Sequence, residues 1–137
     1  MNLLACSQIH MKNLIVANWK MNPVSRKEAK VIFDATRDGV KGLKVEVVIC
    51  PPFIYLEQLK GLPLGGQNIF FDDKPFTGGV SAAMLKEMGV EYVILGHSEV
   101  RRYLKETDEI INKKIKKALE TGLKIIFCVG ETPEERD

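Results

Sequence analysis

Four short apolar runs punctuate the chain: Leu14–Ala17, Val45–Cys50, Val93–Leu95 and Ile125–Val129. Each is rich in β-branched residues and bounded by turn-forming ones, and the apolar character is mostly continuous rather than alternating. Strands covered on both faces leave that pattern, because neither set of alternating side chains then faces water. A weaker candidate strand spans Gln67–Phe71. Helical patterns lie between the runs. Ser25-Arg26-Lys27-Glu28 is a capping box that opens a helix whose buried face would use Ala29, Ile32, Phe33 and Thr36. Thr107 caps another, with Asp108 and Glu109 at the positive end of its dipole and Ile110, Ile111, Ile115, Ala118 and Leu119 on one face. Gly122 supplies the stop. Shorter helices are expected over Tyr55–Leu59 and Ala82–Met88. The resulting order, βαβαβαβαβ, predicts crossover connections and a parallel sheet, an α/β fold.

Composition narrows the class without naming a function. With 137 residues, 45% hydrophobic and 28% charged, the chain suits one packed domain and is neither low-complexity nor disordered. No apolar run approaches the roughly 18 residues of a membrane-spanning helix. Twenty Lys+Arg against eighteen Asp+Glu leave a net charge of +2, too balanced for nucleic acid or an anionic membrane as partner. Cys6, Cys50 and Cys128 are scattered and odd in number, and neither His10 nor His97 has a partner at ligand spacing. No metal site or disulfide framework is therefore expected, and the reading is a reducing, cytoplasmic compartment. Lys113, Lys114, Lys116 and Lys117 read as the solvated face of the last helix.

The two ends differ from the middle. Residues 1–10 contain Leu-Leu-Ala before Cys6, but they lack a basic segment and the about 7 to 15 apolar residues of a secretory signal. They are read as an extension, with the domain occupying residues 11–137 and Met11 opening the first strand. Thr132-Pro133-Glu134-Glu135 is a further helix start placed just before the last residue, Asp137. The expectation is a domain cut before its next strand.

Functional side chains in parallel α/β folds collect after the carboxyl ends of the strands. Those positions hold Asn18 and Lys20, Pro51 and Pro52, Gln67 and Asn68, His97 and Glu99, and Glu131. Singly, each has an ordinary explanation: a turn residue, a solvated cation, a capping histidine, a first-turn acid. Together, a cation, a neutral amide, an imidazole and a carboxylate at one mouth suit a small, anionic, oxygen-rich substrate. His97 opens a polar stretch that can start a short helix, where the dipole disfavours imidazolium and leaves a neutral hydrogen-bond donor. The glycine patterns of dinucleotide and P-loop sites are missing, as is the Gly-x-Ser-x-Gly elbow of serine hydrolases.

Five ordered motifs carry a resemblance. They are Ala17-Asn18-Trp19-Lys20-Met21-Asn22, Cys50-Pro51-Pro52 with Gly66-Gln67-Asn68, Phe76-Thr77-Gly78, Tyr92 to Glu99 followed by Glu106-Thr107-Asp108-Glu109, and Cys128-Val129-Gly130-Glu131-Thr132. In this order they resemble the triosephosphate isomerase family. The resemblance implies a (β/α)8 barrel, here its amino-terminal portion with about five parallel strands and four helices. A whole barrel takes about 250 residues. It further implies interconversion of dihydroxyacetone phosphate and D-glyceraldehyde 3-phosphate through an enediolate, with no metal or cofactor. The family is itself a reference example of a neutral histidine electrophile working with a glutamate base.

Carried over by position, His97 would polarise the substrate carbonyl and Lys20 would bind and stabilise the anion. Asn18 would help position the substrate, and Glu99 would belong to their polar network as a further catalytic-site residue. The loop around Phe76-Thr77-Gly78 would place Thr77 and Gly78 in a homodimer interface. Two positions depart from the family. Val100 stands where an arginine is usual, although Arg101 matches the next one, and Gly79 stands where an acidic residue is usual. The family's general base follows a sixth strand and its phosphate-gripping glycines come later, so the chain alone is expected to be inactive. Glu131 matches the fifth-strand motif and does not replace the base. Two other readings stay open: a non-catalytic α/β half-barrel module that binds a small phosphate or a complementary half-barrel, built as an open sheet, and another barrel enzyme of sugar phosphates.

Overall fold

A computed structural model describes residues 13–131 and residue 136. The readings made for residues 1–10, for Met11 and for the helix start at Thr132 lie outside the described residues. The described residues hold five strands: β1 (Asn13–Asn18), β2 (Val45–Cys50), β3 (Gly65–Gly66), β4 (Tyr92–Leu95) and β5 (Lys124–Phe127). α1 (Arg26–Gly39) joins β1 to β2, a 3-10 turn over Phe53–Gln58 lies between β2 and β3, α2 (Ala82–Glu87) joins β3 to β4, and α3 (Ser98–Tyr103) and α4 (Asp108–Glu120) both lie between β4 and β5. β1 pairs with β2, and β3 with β4 and β4 with β5, all parallel. A single parallel bridge between Ile49 and Leu64 links the two groups. Spatial order therefore follows chain order, as when each βα unit adds one strand beside the last.

Caps set the long helices where the sequence placed them. Ser25 Oγ accepts from the Glu28 amide at 3.1 Å, and Thr107 Oγ1 from the Ile110 amide at 3.4 Å. Their buried faces are narrower than the pattern suggested: Ala29 and Phe33 are buried on α1 but Ile32 is exposed, and Ile111 and Ala118 are buried on α4 but Leu119 is exposed.

Three expectations need correction. The third strand is Gly65–Gly66, not Gln67–Phe71. A Cβ on Gly65 would lie 2.4 Å from Cys50 Sγ, and one on Gly66 2.4 Å from Leu85 Cδ1. Close packing on both faces thus demands glycine and removes the apolar side chains that mark a strand. The segment after Pro52 is a 3-10 turn beginning at Phe53 rather than a helix over Tyr55–Leu59; the Tyr55 hydroxyl ties it back by donating to the Pro23 carbonyl at 2.9 Å. Finally, Lys114 is buried, so the lysine run is not uniformly solvated. It lies three residues after Ile111 and four before Ala118, on the core-facing stripe of α4.

The core has two layers. On one face of the sheet Val47, Ile49, Leu64, Val93 and Leu95 pack against Ala29 and Phe33 of α1, Leu85 of α2 and Ala118 of α4. On the other, Val48, Cys50, Tyr92 and Ile94 pack with Val16, Ile126 and Cys128. Burying one such large side chain contributes about 1.5–3 kcal/mol. Burial also pushes the Cys50 thiol up to about 12, leaving it a small hydrophobe rather than a nucleophile. Among the described residues no cluster of His, Cys, Asp and Glu could hold a metal ion, and no helix is long and apolar enough to cross a membrane.

Candidate active site

The turn after β4 sets the central imidazole. Gly96 has φ 74°, and a Cβ there would lie 3.1 Å from the Phe127 ring, so a side chain is disfavoured both by conformation and by space. Arg101 Nε donates to the Gly96 carbonyl at 2.8 Å while its Nη1 holds Asp108 at 2.6 Å, pinning the turn from behind. His97 is the N-cap of α3, and its Nδ1 accepts the Glu99 amide at 3.2 Å. An acceptor nitrogen carries a lone pair, so this hydrogen bond assigns the proton of the neutral ring to Nε2.

Lys20 is held just as closely. Its backbone sits in the left-handed region at φ 55°, a conformation that costs a non-glycine residue on the order of 1 kcal/mol. Two side chains sustain it. Asn18 Oδ1 accepts the Lys20 amide at 2.9 Å, and Gln67 Nε2 donates to the Lys20 carbonyl at 2.8 Å and to the Cys50 carbonyl at 2.9 Å. The ends of β1 and β2 are thereby joined by one amide that leaves β3. From this position Lys20 Nζ donates to Glu99 Oε1 at 2.7 Å, and Glu99 Oε2 lies 3.5 Å from His97 Nδ1. The hydrogen bond from Lys20, with its charge, holds the Glu99 carboxyl below the usual glutamate range.

Asn18, Lys20, His97 and Glu99 are thus brought into one polar network. Thr77 and Gly78 sit elsewhere, on the exposed part of the loop Phe70–Gly79, where Phe76 stacks on Phe70 at 4.3 Å. Glu131 is exposed and its carboxylate accepts from Arg136 Nε at 2.7 Å. At Val100 the backbone carbonyl accepts from the Leu104 and Glu106 amides, closing α3.

Two features escaped the sequence reading. Gln67 was placed at the mouth, but nothing showed that it clamps the Lys20 backbone. Behind the site, Lys114 Nζ pairs with Glu106 Oε1 and donates to Asn68 Oδ1 at 2.9 Å, while Asn68 Nδ2 donates to Glu106 Oε1 at 3.0 Å. The Lys114 and Glu106 side chains retain only 5% and 9% of their exposure, and Glu106 Oε2 has no hydrogen-bond partner among the described residues. The spacing of Lys114 from Ile111 and Ala118 was the available signal.

The triosephosphate isomerase family model matches residues 13–137. The triosephosphate isomerase of Alkaliphilus oremlandii is 51% identical over 133 residues, covering 92% of this chain and 53% of that protein. That of Alkaliphilus metalliredigens is 48% identical with the same coverage. A crystal structure of triosephosphate isomerase from Bartonella henselae superposes with a TM-score of 0.80 at 39% identity, over 92% of this chain and 55% of that one. The chain belongs to the triosephosphate isomerase family. Its strands are the parallel strands of a partial barrel, the amino-terminal portion, and the chain spans about half the length of the curated relatives it matches.

Proposed function

We propose that the protein carrying this chain interconverts dihydroxyacetone phosphate and D-glyceraldehyde 3-phosphate without metal or cofactor. The observation that carries this reading is the occupied Nδ1 of His97, which leaves Nε2–H as its free hydrogen-bond donor. Removal of a proton from the carbon beside a carbonyl places negative charge on the carbonyl oxygen, and a donor aimed there stabilises that charge as it develops. His97 then gives its Nε2 proton to one oxygen of the enediolate and takes one back from the other, while the base returns the proton it removed to the neighbouring carbon, which shifts the carbonyl by one carbon. Lys20 attracts the anionic substrate, Asn18 and Gln67 hold the Lys20 backbone in place, and Glu99 orients the Lys20 ammonium. Among the described residues the carboxylate within salt-bridge reach of His97 is Glu99, and Lys20 engages it. This reading takes the general base from beyond the described residues, and the chain assayed alone is expected to be inactive or nearly so. The reading includes a homodimer through the loop around Phe76-Thr77-Gly78 and a cytoplasmic address.

The test is His97→Gln in a protein that contains this chain within a whole barrel. The expected loss in kcat is about 100- to 10,000-fold, with an unchanged melting temperature; unchanged turnover overturns the role given to His97. A second reading, a non-catalytic half-barrel that binds a complementary half, is favoured by exposed apolar residues on the outer strands, Ile15 on β1 and Phe127 on β5. It would be upheld by a complementary half that binds this chain yet restores no isomerase activity.

A further inference from the structure

The lysine run on α4 reaches the protruding loop at three successive points. At the loop's root, Lys114 holds Asn68 and Glu106 in the buried cluster described above. Further along, the Lys113 ammonium lies 5.5 Å from the centroid of the Phe71 ring. One turn onward, Lys117 Nζ donates to Asp73 Oδ2 at 2.8 Å and lies 3.0 Å from Glu120 Oε2. Residues three and four apart on a helix share a face, so these side chains form one stripe. Lys116, exposed and with no ion pair or ring contact to the loop among the described residues, is a built-in control.

The contacts continue from Phe71 to the exposed end of the loop. The Phe70 ring lies 4.4 Å from that of Phe71 and 4.3 Å from that of Phe76. The return leg is closed by the Gly79 amide donating to the Phe76 carbonyl at 3.0 Å and the Phe70 amide donating to the Val80 carbonyl at 2.8 Å. The Asp73 and Glu120 carboxylates raise the Lys117 ammonium well above its usual range, so this anchor stays charged at any ordinary pH. A loop already held in its docking conformation loses less freedom on association than a free one.

We propose that Lys113 and Lys117 are positioning residues that brace the loop Phe70–Gly79 from α4, so that Phe76, Thr77 and Gly78 are presented in one conformation to a second copy of this chain. The docking half of this inference rests on the homodimer reading, whereas the brace itself does not. Amide hydrogen exchange in the loop and sedimentation, both on a whole-barrel protein that carries this chain, read the two halves separately. In Lys113→Ala/Lys117→Ala, exchange at the Phe70 and Gly79 amides should quicken about 3- to 30-fold, with the β4 amides unchanged. Lys113→Arg/Lys117→Arg, which keeps both the cation over the ring and the ion pair, should exchange as the parent does, and so should Lys116→Ala. Unchanged loop exchange in the alanine variant overturns the brace, as does an equal change in the arginine variant. A whole-barrel protein carrying this chain that stays monomeric overturns the homodimer reading and the docking half with it, while exchange still decides the brace. A dimer equally tight in parent and alanine variant, despite faster loop exchange, overturns the presenting role.

Discussion

β2 and β4 run through the middle of the sheet; β1 and β5 lie at its margins. All four are short apolar runs, yet all four residues of β4 are buried, while Leu14 and Ile15 of β1 keep 45% and 52% exposure and Phe127 of β5 keeps 47%. The residue types barely differ. What differs is the neighbours: among the described residues β1 pairs only with β2 and β5 only with β4, so each has one free edge and an incompletely covered surface. An apolar pattern records which side chains need covering, and the covering itself comes from elsewhere. The candidate site straddles this divide. Lys20 follows the marginal β1, whereas His97 and Glu99 follow the central β4, so the 2.7 Å contact between Lys20 and Glu99 depends on both kinds of strand keeping their places.

The contrast is most exposed to test by truncation. Leu95→Ala on β4 should destabilise the chain by about 2–5 kcal/mol, and Ile15→Ala on β1 by less than about 1 kcal/mol, both from urea unfolding. Equal losses would show that β1 is already as well covered as the centre. A smaller but sharper effect lies in the thiols. Cys50 is fully buried in the central layer with its thiol pushed up to about 12, whereas Cys128, beyond β5, is raised by partial burial and lowered again by nearby Arg101. Iodoacetamide at mildly alkaline pH, followed by peptide mapping, should label Cys128 at least about tenfold faster than Cys50. Similar rates would mean that the central layer opens as readily as the margin.

The smallest expected effect is electrostatic and reports on the pair that joins the two regions. The hydrogen bond from Lys20 depresses the Glu99 carboxyl in the folded chain, so the pair contributes stability above about pH 4.5 and loses it as pH falls through the lowered value. Both side chains are about half exposed, so the contribution is small and screened by salt. Lys20→Met should return the Glu99 titration, followed by carboxyl NMR, toward the ordinary glutamate value. A Glu99 titration unmoved by that substitution would show that β1 and β4 do not hold the pair together in solution.

Much of this molecule was legible from local signals. The runs at β1, β2, β4 and β5, the caps at Ser25 and Thr107, and the convergence of Asn18, Lys20, His97 and Glu99 after the strands all follow from periodicity, capping chemistry and the rule that function gathers at carboxyl ends. Each of those signals is contained within a few turns of chain. β3 was invisible because its evidence is the absence of side chains at Gly65 and Gly66, and that absence is explained only by Cys50 and Leu85 pressing from opposite faces. The Lys20 conformation likewise depends on Gln67, 47 residues away.

By itself, then, the sequence determined the order and type of the main elements and the set of groups at the site, because helix caps, strand runs and motif spacing act between near neighbours. Only the tertiary structure decided that Lys114 leaves water, that Gln67 clamps the Lys20 backbone, and that the central strands are covered where the marginal ones are not. Those outcomes depend on desolvation and on partners as far as 46 and 47 residues away along the chain, and no window of local sequence contains both sides of such a contact.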